Sequence, residues 1–321
     1  MVGKAACVGL AVISGVLMAV SSRIQGNLVV YVENPLLASV FANVGAMVTI
    51  GIALAASPAA RRALGRVLKA LRTPGSSLAW WQGLGPVVGT AFILTQSLAV
   101  DALGVAIFTV ASVAGNSIGS LVVDHYGVAP GGARPISLPR VAGALLAMAA
   151  AGLGLTGLEG TSGLWLAALP LVVGIGKAWQ QAVSGRMQYT GSHLPDGTVA
   201  GGGVIATTFF NFAAGGILLH AMFWTSWTVR GPSYGSFPTN PLWYTAGVLA
   251  VGTIAISAAV VHRIGALLLI LSSIAGQMLA ALVVDALTGD TPTTATLTAV
   301  ALTVFAVVLS ILAGRRKPQT A

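Results

Sequence analysis

The chain has 321 residues, of which 56% are hydrophobic and only 7% charged, with a formal net charge of +9. A soluble domain carries about a quarter charged residues. So few charges cannot cover a surface facing water, so the composition excludes an ordinary soluble protein and points to lipid as the solvent. The single cysteine, Cys7, excludes an intramolecular disulfide, and His125, His193, His220 and His262 are scattered without metal-ligand spacing. No metal and no cofactor is expected.

A membrane-spanning helix needs roughly 20 mainly apolar residues. Ten such segments are predicted, near 5–24, 36–56, 80–100, 104–123, 138–157, 164–185, 199–223, 243–261, 265–286 and 294–313. Turn-forming residues such as Glu33-Asn34-Pro35 and Gly289-Asp290-Thr291-Pro292 punctuate the gaps. The first segment resembles a signal peptide, with Lys4 before an apolar run and Ala19-Val20-Ser21 after it. It is read as a retained helix, because the repeat described below needs it.

Lysine and arginine set the orientation. Lys4, Arg61, Arg62, Arg66, Lys69, Arg72, Arg134, Arg140, Arg186, Arg263, Arg315, Arg316 and Lys317 fall on the side of the N-terminus. The other side has Arg23 and Arg230, with Glu33, Asp101, Glu159, Asp285 and Asp290. A multi-pass protein of the inner (plasma) membrane with both termini in the cytoplasm is expected. The run from Arg61 to Arg72 could suggest nucleic acid, but its place beside a span makes anionic lipid headgroups the expected partner. Trp165, Trp224, Trp227 and Trp243 are placed at the outer interface, and Trp80 and Trp81 at the inner one.

The two halves of the chain repeat each other. Ala111-Ser112-Val113-Ala114-Gly115-Asn116, followed by Leu121-Val122-Val123-Asp124, returns as Ser272-Ser273-Ile274-Ala275-Gly276-Gln277 and Leu282-Val283-Val284-Asp285, 161 positions later. Leu103-Gly104 and Ile264-Gly265 keep the same offset, and Gly26 and Ser22 match Gly185 and Gln181 at an offset of 159. The predicted architecture is therefore all-α, two five-helix repeats over residues 1–158 and 163–321. Five is odd, so the second repeat enters the membrane inverted. Inverted repeats suit alternating access in secondary transporters.

These motifs, with Gln180-Gln181-Ala182-Val183-Ser184-Gly185-Arg186 in the sixth segment, carry a family resemblance. Over nearly its whole length the chain resembles the YdcZ-like branch of the drug/metabolite transporter superfamily, which is built from duplicated five-helix units. The resemblance implies a small-molecule carrier, often an exporter, without naming its substrate. The family's usual Asn before the Gly closing the first and sixth helices is replaced here by Gln25 and Ser184.

The candidate binding residues begin with Lys177, some 13 residues into the sixth segment. A lysine that deep cannot snorkel to water and normally faces a bundle interior or a wet cavity. Gln180, Gln181 and Ser184 follow on the same helical stripe. Ser14, Met18, Ser21, Ser22 and Gln25 form the equivalent stripe in the first segment, with Met18 where the sixth has Lys177. Asn116 and Gln277 stand beside small-residue ladders in the fourth and ninth segments, while Asn43 and Asn211 are polar residues inside the second and seventh. The alternative for each is a structural role, as a buried lysine bonded to backbone carbonyls or as interhelical hydrogen bonding. Asp124 and Asp285 read as polar helix termini or as symmetric gate residues.

Acidic residues are placed in no helix centre, which argues against a proton-coupled exporter of cations. The chain has no Walker loop, no His-Glu-x-x-His and no serine elbow, so an enzyme is not expected. The sequence thus predicts a secondary transporter of an anionic, zwitterionic or neutral small metabolite, acting as a monomer or homodimer. A non-transporting membrane scaffold or accessory subunit is the alternative.

Overall fold

The computed structural model describes residues 3–152 and 168–288, with short helical pieces at 297–298, 301–302, 304–305 and 307–308. The tenth predicted span and Glu159, Trp165 and Asp290 lie largely or wholly outside the described residues. The described chain is helical: α1 Lys4–Val32, α2 Pro35–Ala56, α3 Pro58–Arg72, α4 Gly85–His125, α5 Leu138–Gly152, α6 Ala168–Ser192, α7 Gly203–Arg230, α8 Ala246–Ile264 and α9 Ala266–Thr288. Among the described residues, Lys4–Val32, Pro35–Ala56, Gly203–Arg230 and Pro241–Ile264 are long and apolar enough to cross a membrane.

Local chemistry sets the ends of these helices. Asn34 and Ser57 cap α2 and α3, accepting from the Leu37 and Ala60 amides at 3.0 and 3.2 Å, and each precedes a proline in the first helical turn. The run from Arg61 to Arg72, expected as a basic stretch beside a span, forms most of the helix α3. It folds because Ala60, Ala63 and Val67 form a small apolar face between charged residues, and that face is buried.

A second difference concerns the spans expected at 80–100 and 104–123. They run as one helix, α4, of 41 residues, or about 60 Å at 1.5 Å per residue. Asp101, expected in a loop, therefore lies inside a helix, and the expectation of no mid-helix carboxylate does not hold.

The chain forms two compact units. The first contains Met1–Val16, Phe92–Ala182 and Val260–Ala321, and the second Leu17–Ala91 and Val183–Ala259. Each draws on both sequence halves, so the compact units do not coincide with the repeats.

In the first unit, glycines allow helices to touch backbone to backbone. A Cβ added at Gly115 would strike the Leu171 carbonyl oxygen, and one at Gly174 would strike that of Ser112. The repeat-related pair behaves alike. A Cβ at Gly276 would strike the Val12 oxygen, and one at Gly15 that of Ser273. Gly115 and Gly276 stand 161 positions apart, and Gly15 and Gly174 stand 159 apart. The α4–α6 and α9–α1 crossings are thus the same contact made twice, at the offsets present in the sequence.

Asp124 organises the end of α4. It is 2% exposed and pairs with Arg140 at 2.5 Å. Its carboxylate also accepts the amides of Ala266 and Leu267 at 2.8 and 3.2 Å, capping the first turn of α9. Arg134 donates to the Arg263 carbonyl at 2.9 Å, at the last turn of α8. Burial pulls the Arg134 pKa below the ordinary arginine value, against the attraction of Asp124.

In the second unit, α7 packs along α2 and α3. At one end Leu28, Val32, Leu37, Ala38 and Phe223 form a buried core, with Trp227, Trp243 and Tyr244 against it. The segment after α7 closes α1, where the Gly235 and Ser236 amides donate to the Val32 and Tyr31 carbonyls, both at 3.0 Å. Arg66 of α3 donates to the carbonyls of Gly191 and Gly201, holding α3 on the α6–α7 turn.

Candidate functional site

The two units treat the residues predicted for the site differently. In the second, those residues are hydrogen-bonded to neighbouring helices or exposed. Gln25 of α1 donates to the Ser39 hydroxyl at 3.1 Å. Asn43 donates to the Phe212 carbonyl at 3.1 Å. Asn211, buried in α7, donates to Ser184 of α6 at 3.2 Å and to the Thr207 carbonyl at 2.9 Å. Ser22 is exposed. Its neighbour Ser21 is buried and donates to the Ala246 carbonyl at 2.8 Å, so the inward stripe of α1 runs through Ser21. Residues 21 and 22 lie about 100° apart on a helix, and the sequence singled out Ser22 for the site. Each of these bonds other than that of Asn211 to its own helix ties two helical segments together.

In the first unit, acceptors stand empty. Lys177 lies on α6 one turn beyond the Gly174 crossing, half-buried, its ammonium 4.2 Å from the centroid of the Phe92 ring. A cation over a ring face is held by the ring quadrupole, which leaves its hydrogen-bond donors for another group. Among the described residues no carboxylate pairs with it. One helical turn on, Gln181 Oε1 is buried without a partner, as are Asn116 Oδ1 and Ser112 Oγ on α4. Ser112 and Asn116 of α4 lie against Gly174 of α6, one helical turn before Lys177 and two before Gln181. On α9, Ser272 Oγ is also buried and unpartnered, while Gln277 donates to the Ser273 carbonyl at 3.4 Å. Gln180 is itself engaged by a partner.

A buried acceptor without a donor costs about 1–3 kcal/mol. A cluster of them beside one cation is costly as pure structure. As a binding surface it supplies what a ligand with an anion and N–H or O–H donors needs. Of the predicted residues, Lys177 and Gln181 lie on this stretch of α6, and Asn116, with Ser112, on the stretch of α4 that packs against Gly174. Ser184, Gln25, Asn43 and Asn211 are instead spent on helix packing in the other unit. Among the described residues, no group of three or more His, Cys, Asp or Glu side chains could hold a metal.

A helical chain with long apolar spans and a duplicated sequence has the form of a membrane transporter. The comparison with known families makes this specific. The model described as "Putative inner membrane exporter, YdcZ" matches residues 6–153 and again 165–313, and the chain belongs to this family. The double match shows a fused pair of units in a membrane-embedded transporter. A solved protein, described only as "Crystal structure of protein", superposes with a TM-score of 0.63 over 97% of this chain and 96% of that one. At 18% identity this is a likeness of fold alone. No curated protein matches significantly.

Proposed function

We propose that the protein is a secondary carrier that exports a small anionic, zwitterionic or neutral metabolite by alternating access of two inverted repeats, with both termini in the cytoplasm. The observation that carries this reading is Lys177, held on α6 against Phe92, one turn before the empty acceptor of Gln181 and one turn past the Gly174 crossing where Asn116 packs. The lysine takes the anionic group of the substrate, and the amide oxygens take its donors. The repeated glycine crossings at Gly115–Leu171 and Gly276–Val12 support the inverted pair, since each half offers the same surface. Two equivalent crossings give the protein two near-mirror arrangements of similar energy, which alternating access requires.

The test is a thermal-shift screen of purified protein against small metabolites, repeated on Lys177→Ala. A ligand that binds the folded state raises the melting temperature by mass action. An anionic compound that stabilises the wild type and not the variant supports the site, and counterflow of the same compound in proteoliposomes then tests transport. A broad screen with no shift removes the reading. If Lys177→Ala in addition melts far lower with no ligand present, the lysine is structural and a scaffold role takes its place.

A further inference from the structure

The contact between α6 and α7 in the second unit is a polar ladder with one open rung. On α6 the facing residues are Ser184, Gln188 and Ser192, and on α7 they are Asn211, Thr207 and Gly203, spaced one turn apart on each helix. The first rung is closed by the Asn211–Ser184 hydrogen bond at 3.2 Å. The third is closed by proximity, because a Cβ at Gly203 would strike the Gln188 carbonyl and the Ser192 hydroxyl. The middle rung is not closed. Gln188 turns its amide nitrogen to Ser192 at 3.3 Å, leaving its Oε1 buried and unpartnered. Thr207, with 0% exposure, takes the position opposite on α7 by the register of the two flanking rungs, and its hydroxyl has no hydrogen-bond partner.

We propose that the facing oxygens of Gln188 and Thr207 form a site for a monovalent alkali cation. The chemistry is selective in kind. The rung offers hard, neutral oxygens with no carboxylate among them. A divalent ion at such a site lacks the ligand charge it needs, whereas an alkali ion keeps part of its water and takes the remainder from the protein. With no formal charge in the ligand set, binding is expected in the millimolar range, where oxygen sites of low ligand charge fall. As the coupling ion of a carrier this site rests on the transport reading above. As a cation site it does not.

The experiment is a melting curve of the full chain in detergent micelles in NaCl, KCl or choline chloride at constant ionic strength. Na+ or K+ at about a hundred times its dissociation constant should raise the melting temperature by a few degrees over choline. Thr207→Ser keeps the hydroxyl and should keep the response. Thr207→Val replaces it with a methyl and should lose it. Gln188→Glu adds a charge and should move the response to about tenfold lower concentration. Lys177→Ala should leave the ion response intact while losing any substrate response, so failure of one reading is told from failure of the other. The proposal is overturned if the wild type melts alike in all three salts, in which case the two oxygens share a water. It is also overturned if Thr207→Val keeps the full ion response. Should Thr207→Val not fold, the Gln188→Glu and Thr207→Ser curves decide, and an unshifted Gln188→Glu response counts against the site.

Discussion

Leu103-Gly104 and Ile264-Gly265 are the same joint in the two repeats, and the chain treats them in opposite ways. At the first, the backbone continues as helix through α4. At the second it breaks, with Gly265 at φ +84° between α8 and α9. A break frees amides on one side and carbonyls on the other, and in a membrane protein these cannot be left bare. Here they are taken up from outside the joint, the amides of Ala266 and Leu267 by Asp124 and the Arg263 carbonyl by Arg134. Equal sequence at a joint therefore does not fix its backbone. The groups that reach it from the α4–α5 connection do.

The largest test of this comparison removes the cap. Asp124→Ala leaves Arg140 without its carboxylate and two buried amides without an acceptor. Breaking a buried pair on one side costs about 3–5 kcal/mol, which should appear as loss of monodisperse protein on size exclusion. Asp124→Asn keeps one acceptor oxygen and should fall between. A wild-type profile for Asp124→Ala would sink the account of the joint.

Glycine-to-alanine changes at the two joints should have opposite signs. Gly265→Ala places a side chain in the left-handed region, at about 1–2 kcal/mol, and its Cβ would also press on Arg134 and Asp124. Its melting temperature should drop. Gly104→Ala relieves an in-helix glycine and should gain about 0.5–1 kcal/mol. Shifts of the same sign in both variants would mean that the joints are alike in solution.

The smallest effect concerns a carboxylate that closes nothing. Asp196 lies exposed in the α6–α7 turn, where the Thr198 amide donates to it at 2.9 Å and holds its pKa below the usual carboxylate value. A depressed folded-state pKa gives stability that is present above the unfolded value and lost as pH falls through the folded one. Asp196→Asn should therefore melt close to the wild type at neutral pH, since substitutions at exposed sites usually change stability little. The small gap should close in acid, below the ordinary carboxylate range. A large loss at neutral pH would show that the turn matters as much as the joint.

Much of the fold was open to reading from sequence because lipid imposes simple rules. The start of α2 follows from Asn34-Pro35, and the repeat offset reappears as matching glycine contacts. Other elements were hidden for definite reasons. The apolar face of α3 is made of alanines and one valine, too small to stand out among five basic residues. The joint inside α4 resembles a loop in sequence because Asp101 and Gly104 look like the end of a span, yet Ala102 and Leu103 favour helix and the backbone runs on through them. The role of Asp124 depends on a partner 142 residues away, which local pattern does not reveal. Sequence offers the candidate residues as polar positions within helices, but it cannot tell satisfied amides such as Asn211 from empty ones such as Gln181. That distinction depends on what each side chain meets.

Arg66 gives the molecule a built-in reporter. Its guanidinium grips Gly191, near the end of α6, and Gly201, at the approach to α7, from one position on α3. Any movement of that turn must drag the surface helix with it or break the grip. Arg62, exposed on the same helix, is thus a natural place for a spin label or fluorophore, whose signal would follow the ladder between Gln188 and Thr207 without touching it.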